Sequence, residues 1–325
     1  MSSCKRIWVA FISWLLLPAL LTGTGLAGDA ETVGAMPDPA GANPPELADD
    51  GYLDSDEPYI YASREEGLWS YASRSIRVEI RERTDGDGRL RWFEAFLRYR
   101  EPAWFGAMVN RLEGRKPGRG GSRLQYPLKI AEKFSAVFAI NDDFFGYRQQ
   151  GNQTTGVIIR NGEIWSQKTK RAKAKTFPPL DILALYPDGS MKTFVSDAHT
   201  AQEYLDMGVV STFAFGPILV ENGVYCDDLE NWRSTALEPR MAMGIREDGT
   251  VIAVNALGRR KDAKGVSLPW MAEKMLELGA VEAINLDGGF TTCMIFMGDA
   301  INRPLGSKSF RTVNSLIGVR EGGQP

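Results

Sequence analysis

A short apolar segment that ends in a carboxylate and two glycines constrains this chain more than any other feature. Residues 283–292 read AINLDGGFTT. Strands often present polar side chains at their ends, and glycine gives the following turn backbone angles that other residues resist. Asp287 is therefore expected to face a cleft. An Asp-Gly-Gly hairpin turn is the alternative that this pattern also fits.

Hairpin signals recur along the chain and predict many short strands. Residues 75–83 and 90–99 flank a glycine-rich turn and predict one hairpin. Further strands are predicted at 136–140, 156–160, 180–186, 241–245 and 251–256. An amphipathic helix is predicted over 267–278, with Ser267 as N-cap and Gly279 as C-cap. We therefore expect an α+β fold with mixed, largely antiparallel sheets and few packed helices.

The N-terminal part of the chain is expected to lie outside the folded domain. Two basic residues precede an apolar run at 7–21 and a stretch of small residues, so residues 1–27 are typical of a signal peptide or an uncleaved membrane anchor. Residues 28–72 are rich in Gly, Pro and acidic side chains and predict a flexible linker. Residues 73–325 would form one domain. The protein is expected to be secreted or extracytoplasmic, with the N-terminal run as its one membrane contact if uncleaved.

The composition excludes several functions. The chain has one histidine, His199, in a polar stretch, and it has no Gly-x-Ser-x-Gly motif, which argues against serine-histidine catalysis. No phosphate-binding glycine motif supports a nucleotide, and a net charge of −3 argues against nucleic acid. Cys226 and Cys293 follow the apolar run, and their pairing stays open. Carboxylate, arginine and amide chemistry remains, and glycoside cleavage uses a pair of carboxylates.

Four segments, in this order, resemble the phosphodiester glycosidase family. They are residues 141–145 (NDDFF), 239–245 (PRMAMGI), 256–259 (ALGR) and 285–289 (NLDGG). The resemblance spans about residues 136–319 and includes a closing strand at 311–319. The family includes an enzyme that removes N-acetylglucosamine from mannose-6-phosphate signals, and bacterial exported proteins described as related to exopolysaccharide synthesis.

The chain departs from the family pattern at three places. Leu257 stands where the family has an aspartate, and Phe290 stands where it has a third glycine. Asp142 and Asp143 replace two glycines. The acid/base residues are therefore expected to differ from those of the family, or catalysis to be weak.

The residues and the resemblance together nominate a site. The candidate catalytic residues are Asp287, Asp142 and Asp143, and adjacent strand residues point to opposite faces, so one of the last two is expected in the cleft. The candidate substrate-binding residues are Arg240, Arg259, Asn285, Asn141, Gly288, Gly289, Thr291, Thr292 and Phe145. The arginines would hold a phosphate, unless they form structural ion pairs. The glycine N–H groups would bind an oxyanion or phosphate.

The site is expected to need no cofactor. A divalent cation at Asp287 and Asp142 is conceivable, but no ligand spacing indicates one. A basic run between residues 168 and 175 is either a solvated loop or a means of attracting an anionic polymer.

The resemblance implies an exported hydrolase of sugar phosphodiester or related glycosidic linkages, with a carbohydrate or sugar-phosphate substrate. Exopolysaccharide or cell-envelope glycan metabolism is its expected setting. Two alternatives stay open: a non-catalytic protein that binds or assembles envelope glycans, and a glycosyl transferase that uses the same site.

Overall fold

The computed structural model describes residues 36–143, 155–167, 179–226, 229, 236–303 and 310–322. Within these residues the chain forms nineteen strands in four sheets. The α-helices among them are α1 (Pro127–Lys133), α2 (Ala201–Asp206) and α3 (Leu268–Glu277). Neighbouring strands pair antiparallel throughout this part of the chain, for example β3 with β4 and β14 with β15. The α+β class with few helices is confirmed.

The largest sheet has nine strands and forms the centre of the molecule. In spatial order its strands are β1 (Tyr59–Ser63), β2 (Leu68–Ala72), β3 (Ile76–Thr84), β4 (Arg91–Tyr99), β15 (Val251–Ala256), β14 (Arg240–Arg246), β16 (Ala280–Asn285), β12 (Ile218–Glu221) and β13 (Val224–Tyr225). Strands that are far apart in sequence, such as β4 and β15, are therefore neighbours in the sheet.

Three smaller sheets complete the described structure. A five-stranded sheet has the order β18 (Asp299–Ala300), β17 (Met294–Phe296), β6 (Phe138–Asn141), β19 (Ser315–Val319) and β5 (Phe105–Val109). A three-stranded sheet contains β10 (Met191–Phe194), β9 (Ile182–Leu185) and β11 (Ser211–Ala214). Strands β7 (Val157–Arg160) and β8 (Glu163–Gln167) form a hairpin.

The central strands of the nine-stranded sheet are buried on both faces. Met241 and Met243 of β14 face a core that also contains residues of the five- and three-stranded sheets. Ala242, which lies between them, faces a second core with Met271 and Met275 of α3. Because burial on both faces restrains these strands, their ends are well suited to position functional groups.

The predicted helix and hairpin are confirmed. Strands β3 and β4 pair along their full length. Helix α3 begins after Ser267, whose hydroxyl accepts the N–H of Trp270 at 3.2 Å. Gly279 lies one position beyond the C-cap residue Leu278, with a φ of 86°.

The predicted extent of the N-terminal linker is wrong. Strands β1 and β2 lie within residues 28–72, and β2 pairs with β3 of the central sheet. This stretch has few large aliphatic residues, but it has aromatic residues, which favour strands. One of them, Trp69, packs against Phe93 of β4, with ring centroids 5.8 Å apart. The ordered sheet therefore begins before residue 73. Residues 1–27 lie outside the part of the chain that the structure describes. Within the described part, no helix is long and apolar enough to cross a bilayer.

Cys293 is a free and fully buried thiol, so it is not paired with Cys226. Burial raises the pKa of Cys293 to about 12, which keeps the thiol protonated at neutral pH. A nucleophilic role for this residue is therefore unfavourable.

Strands β19 and β6 approach each other closely at Gly318. A Cβ atom at this position would lie 2.1 Å from the carbonyl oxygen of Phe138 and 3.0 Å from the Cβ of Ala139. We expect Gly318→Ala to lower the free energy of unfolding by about 1–3 kcal/mol because the backbones must separate. Gly86→Ala is the control, since a Cβ atom at that position would have no neighbour within 4 Å. Equal urea-unfolding midpoints for the two variants would contradict the close approach.

Candidate functional site

The candidate site forms where the ends of three central strands meet. Strand β14 begins at Arg240, which pairs with Ala256 at the end of β15. On its other side, Ala242 of β14 pairs with Asn285 at the end of β16. The antiparallel register therefore brings Arg240 to the same end of the sheet as the segments that follow Ala256 and Asn285.

Asn141 fixes the Asp287 segment to the five-stranded sheet. Its Nδ2 donates to the carbonyl oxygen of Asp287 at 2.8 Å and to that of Asp142 at 3.1 Å. Its Oδ1 accepts the N–H of Cys293 at 3.0 Å. Asn141 is fully buried and its amide is occupied by these backbone groups, so the structure gives it a positioning role.

A cleft of about 380 Å³ opens at this point. Its charged and amide-bearing lining residues are Glu238, Arg240, Arg259, Asn285, Asp287 and Arg311. Sequence reasoning nominated four of these and missed Glu238 and Arg311. Glu238 directly precedes the segment that begins at Pro239, and Arg311 opens the closing strand segment, so both had a positional signal.

Asp287 is a buried carboxyl group on the cleft wall. Its side chain is 5% exposed, and its Oδ2 has no hydrogen-bond partner among the described residues. Burial raises the pKa of Asp287 to about 7, and the nearby charge of Asp143 raises it as well. Thr291, Arg311 and the Gly288 backbone oppose this shift. The carboxyl therefore exchanges its proton near neutral pH.

The two glycines after Asp287 allow a close approach of backbones, and no hairpin forms here. Residues Gly289–Thr291 form a short 3-10 helix. A Cβ at Gly288 would lie 2.6 Å from the carbonyl oxygen of Pro239. The N–H of Gly289, where φ is 65°, donates to that same oxygen at 2.9 Å. This N–H is therefore occupied by the protein, contrary to the expectation that both glycines offer N–H groups to an anion.

Asp142 and Asp143 have different surroundings. The Oδ2 of Asp142 contacts Arg160 Nη2 at 2.6 Å and accepts the hydroxyl of Ser315 at 2.7 Å. All of Asp142 is buried, and it does not line the cleft. Asp143 is also fully buried and does not line the cleft, so the expectation that one of these two aspartates enters it is wrong for the described lining. The charge of Asp143 nevertheless raises the pKa of Asp287. The link between Asp143 and Asp287 is therefore electrostatic, whereas the contacts of Asp142 form a structural ion pair.

Arg240 presents a buried guanidinium to the cleft. Its Nε donates to the carbonyl oxygen of Val266 at 2.7 Å, and its Nη2 donates to that of Ala236 at 3.0 Å. No carboxylate of the described residues forms an ion pair with it, although Glu238 favours its charge from a distance. Burial lowers the pKa of Arg240 to about 10, so the group stays charged at neutral pH. It can therefore accept an anion from the cleft.

Arg259 is already paired. Its Nε donates to Glu238 Oε2 at 2.6 Å, and its guanidinium lies 5.4 Å from the centroid of the Phe290 ring. The alternative of a structural ion pair thus applies to Arg259 but, within the described residues, not to Arg240. Both arginines line the cleft.

Amide and hydroxyl groups supply further polar atoms. Asn285 donates from Nδ2 to the carbonyl oxygen of Gly216 at 2.9 Å. Its Oδ1 is buried and has no partner in the described part of the chain. The side chain of Thr291 lowers the pKa of Asp287 by hydrogen bonding. The Thr292 hydroxyl donates to the carbonyl oxygen of Gly289 at 3.1 Å, so it stabilises the turn.

The structure does not test two of the sequence features and places a third away from the cleft. Phe145 and the basic run at 168–175 lie outside the described residues. His199 packs edge-on against Phe194 and Tyr204, with ring centroids 5.6 and 5.2 Å away, and is not among the residues that line the cleft.

Comparisons with known proteins bear on the family and the fold of this chain. The model of the phosphodiester glycosidase family matches residues 134–320. The SPbeta prophage-derived uncharacterized protein YomE of Bacillus subtilis strain 168 is 27% identical over 185 residues, which are 56% of this chain and 28% of that protein. The chain therefore spans well under two thirds of this relative.

Two solved structures share the fold. The catalytic domain of zebrafish N-acetylglucosamine-1-phosphodiester alpha-N-acetylglucosaminidase, auto-inhibited by its pro-peptide, superposes with a TM-score of 0.57 and 17% identity over 82% of this chain and 88% of that one. A hypothetical protein from Synechocystis superposes with a TM-score of 0.54 and 14% identity over 82% of this chain and 64% of that one.

The raised pKa of Asp287 predicts a pH-dependent stability. A carboxyl whose folded pKa exceeds its unfolded value stabilises the fold fully below the unfolded value, near 3.8, and loses that contribution as pH rises through about 7. We expect the unfolding free energy of wild type, relative to Asp287→Asn, to fall between pH 4 and 7, by at most about 1.4 kcal/mol per pH unit. Urea unfolding at several pH values measures this difference.

Asp197→Asn is the control for that series, because Asp197 is exposed. Its difference from wild type should stay flat over the same range. A flat difference for Asp287→Asn as well would contradict the raised pKa.

The ion pair of Asp142 predicts a loss of stability. Removing one partner leaves the other charge buried and uncompensated, so we expect Asp142→Ala to cost about 3–5 kcal/mol of unfolding free energy. Glu132→Ala removes an exposed pair with Lys129 and should cost under about 1 kcal/mol. An Asp142→Ala protein that keeps wild-type stability while losing activity would instead indicate a catalytic carboxylate.

Proposed function

Because this chain belongs to the phosphodiester glycosidase family, we propose that it is an exported hydrolase of sugar phosphodiester or related glycosidic linkages. The observation that carries the proposal is that Asp287 and Arg240 line the same cleft. A phosphodiester substrate needs a cation for its phosphate and a group that transfers a proton. These two residues supply both functions.

Arg240 is assigned to the phosphate. Its guanidinium is held by two backbone carbonyls, so its position is fixed before substrate arrives. A planar guanidinium matches two phosphate oxygens at once. Arg259 gives weaker support, because Glu238 already neutralises it.

Asp287 is assigned to proton transfer. A group with a pKa near the working pH is the most effective general acid or base. As an acid, Asp287 would protonate the leaving oxygen, and as a base it would take a proton from water. Asp143 is the second carboxylate of the proposal, since its charge already acts on Asp287.

The sugar would contact the apolar and amide part of the cleft. Phe290 is 56% exposed, and an exposed aromatic ring offers a surface for a sugar face. The unpartnered Oδ1 of Asn285 would accept a hydroxyl proton, which satisfies a buried acceptor.

The cellular setting rests on the N-terminal sequence. An apolar run after two basic residues supports export, and export would bring the protein to cell-envelope or exopolysaccharide glycans. These glycans are the substrates that we propose.

Activity of the purified protein tests the proposal. We expect N-acetylglucosamine phosphodiester, or another member of a glycosyl phosphodiester panel, to release sugar. Asp287→Asn should lower kcat by about 10²–10⁴ because it removes the transferable proton while conserving shape. Asp197→Asn is the matched control and should keep wild-type activity.

Each other outcome has a defined meaning. Undiminished turnover by folded Asp287→Asn would refute the assignment of this carboxyl. Tight glycan binding without any sugar release would favour the non-catalytic alternative, and product that forms only with a sugar acceptor would favour a transferase.

A further inference from the structure

A second cleft of about 430 Å³ adjoins the candidate cleft and shares part of its wall. Pro239, Arg259, Gly289 and Phe290 line both. The exposed ring of Phe290 therefore stands on the boundary between them. A ligand longer than one sugar unit could extend from the first cleft into the second past this ring.

The second cleft is lined by cations. Arg259, Arg260 and Arg303 line it, and its described lining contains no aspartate or glutamate. Carboxylates outside the cleft neutralise two of them: Arg259 contacts Glu238 at 2.6 Å, and Arg260 contacts Asp262 at 2.7 Å. The charge that remains is that of Arg303.

Arg303 lacks a counter-charge among the residues that the structure describes. Its Nη2 donates to the carbonyl oxygens of Phe290 and Thr292 at 3.0 and 3.1 Å. Its Nε is buried without a hydrogen-bond partner in the described part of the chain. A half-buried guanidinium held only by neutral groups is costly, and an anion in the cleft would offset that cost.

We propose that the second cleft is an anion-binding subsite, so that the substrate is a glycan chain whose phosphodiester linkages repeat. One phosphate would lie at Arg240 beside Asp287, and the next would lie at Arg303. A repeated linkage supplies both anions with the same spacing from one sugar to the next. The cleavage of this chain rests on the function proposed above, whereas its binding across two clefts does not.

Binding to Asp287→Asn protein separates recognition from cleavage. The probes are an N-acetylglucosamine-1-phosphate methyl diester, which has one phosphate, and its dimer, in which the 1-phosphate of one sugar is esterified to a hydroxyl of the second sugar and the second sugar keeps its methyl diester, which has two. We expect the two-phosphate ligand to bind at least about tenfold more tightly in titration calorimetry. The preference should shrink as salt is raised from about 0.05 to about 0.5 M.

Further substitutions in the Asp287→Asn protein show which residues cause the preference for the two-phosphate ligand. Arg303→Gln should abolish it, and Arg260→Glu should reduce it by reversing a charge on the cleft wall. Arg98→Glu is the matched control, since Arg98 lies near the far end of β4 and lines a different cavity. It should leave the preference unchanged.

The results distinguish the two proposals. Equal affinity for both ligands overturns the subsite, even if wild type hydrolyses the one-phosphate substrate. If the two-phosphate ligand binds more tightly but wild type hydrolyses neither ligand, the proposed hydrolase function is refuted and the anion-binding subsite is supported. If Arg303→Gln weakens both ligands equally because the 290–292 turn has moved, Arg260→Glu decides, and an unchanged preference in that variant overturns the subsite.

Discussion

The antiparallel register of β14 between β15 and β16 is the constraint on which the candidate site depends. It brings the start of one strand beside the ends of two others, so that Arg240 meets the Asp287 segment although 47 positions separate the two residues in the sequence. Burial on both faces restrains these strands. Asn141 then attaches the Asp287 segment to the five-stranded sheet. A site of this kind is positioned by the sheet itself rather than by a long loop.

Desolvation sets the chemistry of that site. It raises the pKa of Asp287 towards neutrality and lowers that of Arg240 while leaving it charged. The carboxyl is thereby able to exchange a proton, and the guanidinium is able to hold an anion. Asp142 shows the opposite use of burial, because Arg160 and Ser315 occupy its Oδ2 and tie three segments together. Burial thus raises the pKa of Asp287 at the cleft, whereas at Asp142 it encloses an ion pair.

The sequence predicted the elements better than their surroundings. Alternation and turn residues predicted the β3–β4 hairpin, and the caps of α3 identified that helix, because these signals are local. Residues near Trp69 were predicted to lie in a linker because the stretch has few large aliphatic residues, although its aromatic residues form strand β2 between β1 and β3. The ion pair of Asp142 with Arg160 was not predictable, since it joins residues whose contact depends on the packing of two sheets.

Within the site, too, local motifs were predictable from the sequence and long-range contacts were not. The Asn-Leu-Asp-Gly-Gly segment identified Asp287, and its carboxyl does line a cleft. Glu238 and Arg311 had only a positional signal, next to or at the start of a recognised segment, and the fold was needed to place their side chains in that cleft. The use of the Gly289 N–H by Pro239 likewise depends on the approach of a neighbouring backbone.

Direct titration of the Asp287 carboxyl tests the central claim. Infrared difference spectra of wild type against Asp287→Asn isolate the protonated carboxyl band of this one residue as pH is changed. The structure predicts that the band disappears with a midpoint at about pH 7. A midpoint near 4, the ordinary value for an aspartate, would show that the carboxyl is solvated and would contradict the account.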